Sequence, residues 1–277
     1  MEIGGLIDGL IRKSNDLRKP DDYIRDGLVY CGKCHTQKQC RVEILGVMQT
    51  PMCMCKCMKE EYDREQKELR KKERQQRIER NRNVGFPDAE MMNWTFERDD
   101  RTNQKPSDVC RRYCEAFTEM FQKGKGLLLF GTVGTGKTFL AACVANRLID
   151  EGFTCMVTNF SRLTNRLTGS FDGRQEFLDS LNGYDLLVID DLASERNTEF
   201  MNEIVFSIID SRYRSGKPLI VTTNLSVDEL KYPKDLSKQR VFSRLFEMCF
   251  PIEVKGQDRR KQKMIDDHAE MKGLLGL

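Results

Sequence analysis

Eight consecutive residues have the composition and spacing of a phosphate-binding loop. They read GTVGTGKT and comprise Gly131, Thr132, Val133, Gly134, Thr135, Gly136, Lys137 and Thr138. Glycines let backbone N–H groups close around phosphate oxygens, and a helix that begins at the lysine adds its positive dipole. Lys137 supplies a point charge to the phosphate oxygens, and Thr138 supplies a hydroxyl ligand for Mg²⁺. The segment therefore predicts binding of a nucleoside triphosphate.

Two further polar groups follow apolar runs that have the character of buried strands. The run LLVIDD ends in Asp190 and Asp191, and the run LIVTTN ends in Asn224. Asp190 is placed to hold Mg²⁺, and the carboxylate beside it can polarise a water for attack on the γ-phosphate. Asn224 can hydrogen-bond that water or the γ-phosphate itself. These residues are the expected second half of the nucleotide site.

Arginines late in the chain are candidates for transition-state stabilisation. Arg240 and Arg244 lie four residues apart on one predicted helical face, and GQDRR ends in Arg260. An arginine near phosphates stabilises developing charge, and one supplied by a neighbouring subunit couples hydrolysis to assembly. The alternative is that these arginines are ordinary surface residues.

Cysteines near the start of the chain have the spacing of a structural zinc site. Two tight groups about twenty residues apart can supply four thiolates to a tetrahedral ion. Five cysteines compete for four places, and Cys40 and His35 are further candidates. We favour Cys31, Cys34, Cys55 and Cys57, with Cys53 as the next choice. A small module without a large core needs such a staple.

The elements that position these residues alternate between helix and strand from about residue 101. Short apolar runs between amphipathic helices indicate an α/β fold with a parallel sheet covered on both faces. Nucleotide then binds at the carboxyl ends of the strands. The expected domains are an N-terminal zinc-binding module at 1–60, a charged helical linker at 61–100 and an ATPase domain at 101–277. The predicted helices are 106–122, 137–150, 161–168, 174–181, 197–214 and 236–247, and the strands are 127–130, 154–158, 186–190, 218–223 and 250–254.

Composition excludes several classes of protein. The 277 residues carry a formal net charge of +3 although 32% are charged, so any nucleic-acid contact depends on local patches. No apolar run approaches the roughly 20 residues of a membrane span, and no signal peptide opens the sequence. We therefore expect a cytoplasmic protein whose cysteines are reduced.

With these motifs the chain resembles the DnaC/DnaI-type helicase loaders, which are AAA+ ATPases related to the IstB transposition helpers. The motifs that carry the resemblance are the cysteine module, GTVGTGKT, LLVIDDLASE, IVTTN, RVFSR and GQDRR. The resemblance implies that Asn224 is the sensor-1 residue, Arg244 the arginine finger and Arg260 the sensor-2 arginine. It also implies that the N-terminal module binds a hexameric replicative helicase. The ATPase domain would bind single-stranded DNA and self-associate on ATP.

One departure from the AAA+ pattern concerns the acidic strand. Most AAA+ proteins carry Asp-Glu there, whereas this chain carries Asp190-Asp191, so either Asp191 or the nearby Glu195 is expected to polarise the water. A second expectation concerns DNA: Phe160 could stack on bases while Arg162 and Arg166 neutralise phosphates, the alternative being a core Phe160 beside solvated arginines.

Other functions fit parts of the same pattern. They are an IstB-like transposition helper, a non-hydrolysing adaptor that ATP switches, and a small-molecule P-loop kinase. The cysteine module argues against the transposition helper, and the late arginines argue against the kinase.

Overall fold

The computed structural model describes residues 18–44, 46–168, 173–192, 199–233 and 235–275. The chain divides into two compact units, Met1–Gln75 and Gln76–Leu277. Residues 1–17 of the expected zinc module and the candidate base Glu195 lie outside the described residues, as does the side chain of Arg260.

The smaller unit is built from two short hairpins and the first part of a long helix. Strand β1 (Tyr23–Arg25) pairs antiparallel with β2 (Leu28–Tyr30), and β3 (Val42–Ile44) pairs antiparallel with β4 (Val47–Gln49). The first turn uses Asp26 and Gly27, whose φ angles of 51° and 73° suit a tight hairpin with the right-handed twist of its strands. Among the residues of this unit that the structure describes, few apolar side chains are buried, which agrees with a module that needs a staple.

The larger unit contains a five-stranded parallel sheet, as the alternating pattern predicted. Its strands are β5 (Gly126–Phe130), β6 (Cys155–Asn159), β7 (Leu186–Leu192), β8 (Leu219–Thr223) and β9 (Cys249–Glu253). The spatial order is β6-β7-β8-β5-β9. The central strands are buried along almost their whole length because helices cover both faces. The carboxyl ends of β5, β7 and β8 therefore meet at one edge.

Helices connect and cover these strands. Their bounds are α1 (Lys56–Gly85), α2 (Gln104–Glu115), α3 (Phe117–Gln122), α4 (Lys137–Glu151), α5 (Phe160–Thr168), α6 (Arg174–Gly183), α7 (Glu199–Ser215), α8 (Val227–Lys231), α9 (Leu236–Met248) and α10 (Arg259–Leu275). The helix expected at 106–122 is two helices that meet at Ala116, and α8 and α10 were not predicted. None of the helices in the described ranges combines the length and apolar character that a membrane span requires.

The larger unit begins earlier than the sequence suggested. Residues from Gln76 onward belong to it, although the predicted linker extended to residue 100. Ile78, Phe86 and Phe96 are buried in the core that also contains α4 and one face of the sheet. Two short 3₁₀ helices, Ala89–Asn93 and Phe96–Arg98, form part of the chain that packs on this core. The predicted linker therefore overlaps the larger unit from Gln76 onward, and its part after α1 is packed into that unit.

A fully buried arginine holds the sheet together at the end away from the loop. Arg212 donates to the carbonyl oxygens of Tyr184 and Asp185, each at 3.0 Å, and of Pro218 at 2.7 Å. Burial lowers the pKa of Arg212 to about 10, so it stays charged at neutral pH. Its partners lie just before β7 and β8. Arg212 therefore ties the amino ends of two central strands to α7.

Candidate nucleotide site and cysteine cluster

The phosphate-binding loop joins β5 to α4 as its spacing predicted. Helix α4 begins at Lys137, and Gly136 caps it in the left-handed region with φ 97°. Gly134 has φ 78°, and a Cβ there would overlap the carboxylate of Asp258. Lys137 Nζ donates to the carbonyl oxygens of Gly131 at 2.8 Å and Thr132 at 2.6 Å. The loop is therefore a glycine-dependent turn with the lysine ammonium inside it.

A cavity of about 380 Å³ opens beside this loop at the carboxyl ends of β7 and β8. The loop residues that line it are Val133, Gly134, Gly136, Lys137 and Thr138. The strand ends contribute Asp190, Asp191, Thr222 and Asn224. The structure thus brings the predicted loop, both aspartates and the predicted asparagine into one cavity, of a size suited to a small ligand.

Asp190 lies next to the loop threonine. Its Oδ1 accepts hydrogen bonds from Thr138 Oγ1 at 2.9 Å and from Thr222 Oγ1 at 2.5 Å. Burial raises the pKa of Asp190 above its usual range, and these two hydrogen bonds act in the opposite direction. A hydroxyl and a carboxylate at this separation form the hard oxygen pair that Mg²⁺ prefers. The donor set fits Mg²⁺ held by Thr138 and Asp190.

Asp191 has an unusual backbone conformation. Its φ is 61°, a left-handed value uncommon outside glycine, and a register irregularity between β7 and β8 spans Ile189 to Leu192. Its N–H donates to Thr222 Oγ1 at 2.9 Å, and its Oδ1 accepts from Asn224 Nδ2 at 2.9 Å. The bulge thereby turns the second carboxylate into the cavity beside the first.

Four residues of the cavity were not predicted from the sequence, and one of them is Thr222, described above with the aspartates. Trp94 and Phe139 line it with ring centroids 5.9 Å apart, and Arg259 lines it from the start of α10. The backbone N–H of Arg259 donates to the carbonyl oxygen of Gly134 at 3.0 Å, and the Arg259 guanidinium forms an ion pair with Asp100 at 3.1 Å. Phe139 directly follows the loop in the sequence, and this position could have indicated that it lines the cavity. Nothing local in the sequence marks Trp94, which reaches the site only through the fold.

Arg244 does not line this cavity and instead packs on α7 of its own chain. Its guanidinium forms an ion pair with Asp210 and lies 4.7 Å from the Phe206 ring centroid and 5.3 Å from that of Tyr213. Arg240 lies over the same Phe206 ring at 4.2 Å. The two arginines share one helical face, as predicted, and that face is directed at α7.

The predicted stacking role of Phe160 is wrong. Phe160 is fully buried at the start of α5, within the cluster that also contains Leu163 and Leu167. Spacings of three and seven residues put these side chains on one helical face, toward the core. Arg162 and Arg166 are exposed, and Arg166 lies 5.6 Å from the Phe177 ring centroid. The alternative of a core phenylalanine beside exposed arginines is the one that the structure shows.

Four thiols in the smaller unit converge on one point. The sulfur atoms of Cys31, Cys34, Cys55 and Cys57 all lie within 4.8 Å of one another. Cys55 Sγ and Cys57 Sγ are 3.3 Å apart, and Cys31 Sγ and Cys57 Sγ are 3.6 Å apart. Four sulfurs at zinc-bond length from a tetrahedral ion are about 3.8 Å apart. The cluster fits a zinc ion, and Cys53 lies outside it.

The protonation of these thiols favours a cation. A hydrogen bond from Thr36 lowers the pKa of Cys34 to about 5, and a hydrogen bond with Cys55 raises the pKa of Cys57 to about 12. The pKa of Cys34 thus favours the thiolate, which is the form that binds a metal ion, whereas Cys57 must release a proton when an ion binds.

Replacing Cys34 with serine should remove zinc from the protein. We expect about one zinc per chain in the parent and close to none in Cys34→Ser, because a hydroxyl is a poor zinc ligand. Metal analysis of protein purified without chelator measures this. Cys53→Ser is the matched control and should keep its zinc. Equal zinc content in all three proteins, or none in the parent, contradicts the assignment.

Comparisons with known proteins place the chain among nucleotide-binding proteins. A family model described as IstB-like ATP binding protein matches residues 54–266. The replicative helicase loader DnaI of Bacillus subtilis (strain 168) is 28% identical over 150 residues, which are 50% of this chain and 48% of that protein. The replicative helicase loader DnaC of Escherichia coli (strain K12) is 27% identical over 139 residues, which are 49% of this chain and 54% of that protein.

A crystal structure of the DnaC helicase loader matches with a TM-score of 0.53 at 27% identity, over 61% of this chain and 100% of that one. The alignments with the two loaders span about half the length of each. Together these comparisons confirm the resemblance to DnaC/DnaI-type loaders and the predicted fold class, an AAA+ P-loop α/β domain with a parallel sheet between helices.

Proposed function

This chain belongs to the family of IstB-like ATP-binding proteins, and on that premise we propose that it is an ATP-dependent loader of the replicative DNA helicase. The observation that carries the proposal is a cavity that brings the phosphate-binding loop together with both aspartates, in a chain that also has a four-thiol cluster in a separate unit. The relatives named as helicase loaders support the same function. Such a protein works in the cytoplasm, where replication takes place.

Hydrolysis would use the residues of the cavity as follows. Backbone N–H groups of the loop and Lys137 bind the β- and γ-phosphates, and Thr138 and Asp190 hold Mg²⁺, which neutralises charge that develops on the phosphate oxygens. Asp191 accepts a proton from the attacking water, whose oxygen forms the new bond to the γ-phosphorus. The bond between that phosphorus and the bridging oxygen breaks, and ADP leaves. Glu195 is the alternative base, which a comparison of Asp191→Asn with Glu195→Gln distinguishes.

Asn224 would act on this chemistry through Asp191. Its amide nitrogen donates to the Asp191 carboxylate at 2.9 Å, so it orients the proposed base. The same amide can hydrogen-bond the γ-phosphate, so that the presence of this phosphate is transmitted to β8. The sensor-2 role is proposed for Arg260, and Arg259 is a second candidate because its side chain lines the cavity.

Self-association would complete the site. Because Arg244 does not line the cavity of its own chain, we propose that it reaches the nucleotide of a neighbouring subunit as the arginine finger. Self-association on ATP then couples turnover to assembly.

The proposed partners divide between the two units. The four-thiol module within residues 1–60 would contact the hexameric helicase. The ATPase domain would contact single-stranded DNA by phosphate neutralisation, for which Arg162 and Arg166 are exposed while Phe160 is not. Such binding weakens as the salt concentration rises, because binding releases counterions from the DNA and their release is less favourable at high salt.

The proposal predicts that the protein places the host's hexameric helicase on single-stranded DNA when ATP is present. In the test, purified helicase, a single-stranded DNA circle and this protein are incubated together with and without ATP. The amount of helicase bound to the circle is then measured. A several-fold gain in bound helicase that depends on ATP and on intact Cys34 supports the proposal. Cys53→Ser is the control and should load normally.

Other outcomes separate the alternatives. No capture of helicase, together with ATP-dependent assembly on duplex DNA, would assign the chain to the transposition-helper branch of its family. Loading that needs ATP but proceeds equally well with a non-hydrolysable analogue, and without measurable phosphate release, would indicate an ATP-switched adaptor.

A further inference from the structure

Thr222 and Thr223 at the end of β8, and Asn224 directly after it, bond to three consecutive residues at the end of β7. Thr222 Oγ1 donates to Asp190 Oδ1 at 2.5 Å, Thr223 Oγ1 donates to Leu192 O at 2.8 Å, and Asn224 Nδ2 donates to Asp191 Oδ1 at 2.9 Å. Parallel strands normally meet through backbone groups alone. Here side chains span the point where the register shifts between Ile189 and Leu192. We call this set of contacts the β7–β8 clamp.

We propose that Thr222 is a positioning residue that orients both aspartates of the nucleotide site through one hydroxyl group. Its proton goes to Asp190, and its oxygen accepts the N–H of Asp191 at 2.9 Å. A hydroxyl has one proton and two lone pairs, so both contacts can be made at once. The proposal rests on the function proposed above, in which Asp190 holds Mg²⁺ and Asp191 is the base.

The first contact fixes the ion-binding carboxylate. Asp190 Oδ1 also accepts from Thr138 Oγ1 at 2.9 Å, so the oxygen lies between two hydroxyls from two elements. The Thr222 contact is the one that would persist when Thr138 turns its oxygen to the ion. Without it, Asp190 has more rotamers available, and part of the binding free energy of the ion would be spent on ordering the side chain.

The second contact fixes the proposed base. Asp191 has a φ of 61°, which an ordinary side chain adopts only when its surroundings hold it there. Bonding of its N–H to Thr222 supplies such a restraint, and from this conformation the carboxylate reaches Asn224. Loss of the Thr222 hydroxyl would release the backbone of Asp191 and also leave its N–H without that acceptor.

Burial makes the hydroxyl of Thr222 difficult to replace. The residue is 1% exposed, so water has little access to take over its two contacts. Valine has nearly the shape of threonine but neither a donor nor an acceptor. Serine keeps the hydroxyl and loses only a methyl group. Thr223 is a matched control, since it is buried in the same strand and its hydroxyl donates to the carbonyl oxygen of Leu192 instead of to an aspartate.

The experiment compares Thr222→Val, Thr222→Ser and Thr223→Val with the parent protein. Phosphate release is measured against Mg²⁺ concentration at saturating ATP and against ATP at saturating Mg²⁺, and ATP affinity is measured in EDTA. We expect Thr222→Val to raise the half-saturating Mg²⁺ concentration and lower kcat, each by about 10- to 100-fold, as expected for loss of a hydrogen bond to a charged group. ATP affinity in EDTA should stay within about twofold, and Thr222→Ser should recover most of the loss. Thr223→Val should lower the Tm comparably yet keep the parent's Mg²⁺ dependence.

Two outcomes overturn the proposal. One is an unchanged Mg²⁺ dependence in Thr222→Val; the other is an equal shift in Thr223→Val, which would assign the effect to general destabilisation. If the parent shows no phosphate release, the hydrolytic part of the proposed function fails. The role of Thr222 is then decided by the Mg²⁺-dependent gain in ATP affinity, which Thr222→Val should reduce and Thr223→Val should not.

Discussion

Replacing Arg244 with alanine should lower ATP turnover by about 10³-fold or more and leave ATP binding by each subunit intact. An arginine finger stabilises charge on the transferring phosphoryl group, and its loss has effects of this order. In the structure the guanidinium pairs with Asp210 and packs on Phe206, outside its own chain's cavity. Turnover is measured by phosphate release, and binding by titration with ATP.

Arg240→Ala is the matched control, because Arg240 stacks on the same Phe206 ring. It should lose comparable packing and retain turnover. A mixture of Arg244→Ala with Lys137→Ala should regain part of the activity, since at some interfaces an intact finger meets an intact loop. If the mixture stays inactive although both proteins fold and assemble together, Arg244 is not the finger. A large loss in Arg240→Ala with normal turnover in Arg244→Ala would transfer the role to Arg240.

Replacing Lys137 with alanine should weaken ATP binding by about 100-fold or more, because the triphosphate loses a charged hydrogen-bond donor whose side chain is buried. Trp94 reports the binding directly. It is the sole tryptophan of the sequence, and it lines the cavity beside Phe139. Its emission should change on addition of ATP to the parent and stay constant in Lys137→Ala over the same concentration range.

Lys123→Ala removes the same charge at an exposed position, where the lysine pairs with Glu119 on the surface. It should bind ATP as the parent does. Normal ATP affinity in Lys137→Ala would contradict the assignment of the loop. A loss of affinity in both variants would indicate a long-range charge effect instead of a local contact.

Local signals predicted most of the sheet and eight of the twelve residues that line the cavity. Each strand of the parallel sheet is a short apolar run, and the loop and aspartates follow such runs at once, so sequence order places them at one edge. The four thiols were also readable from spacing. Phe160 shows a signal that was not used to decide between the two alternatives: Leu163 and Leu167 follow it at helical spacing and mark one buried face.

The remaining features depend on contacts between distant parts of the chain. Trp94 precedes the loop by about forty residues, and no local pattern brings it to the nucleotide cavity. The break between α2 and α3 lies at Ala116, where the sequence has no proline or glycine that would indicate the end of a helix. The role of Thr222 depends on the register shift between β7 and β8. That shift arises only when the two strands pair, so neither strand indicates it by itself. Helix α10 was missed because its apolar residues are sparse.

Arg212 has a mechanical consequence for the sheet. It fastens the amino ends of β7 and β8 through main-chain carbonyl oxygens, whereas at the other end of the same two strands the contacts are the side-chain bonds of the β7–β8 clamp. The pairing between the two strands is regular from Leu187 to Ile189 and irregular only from Ile189 to Leu192. A change in what Asp190 and Thr222 hold would therefore act on the last residues of β7, beyond the regular pairing, and leave the part that Arg212 fastens in place.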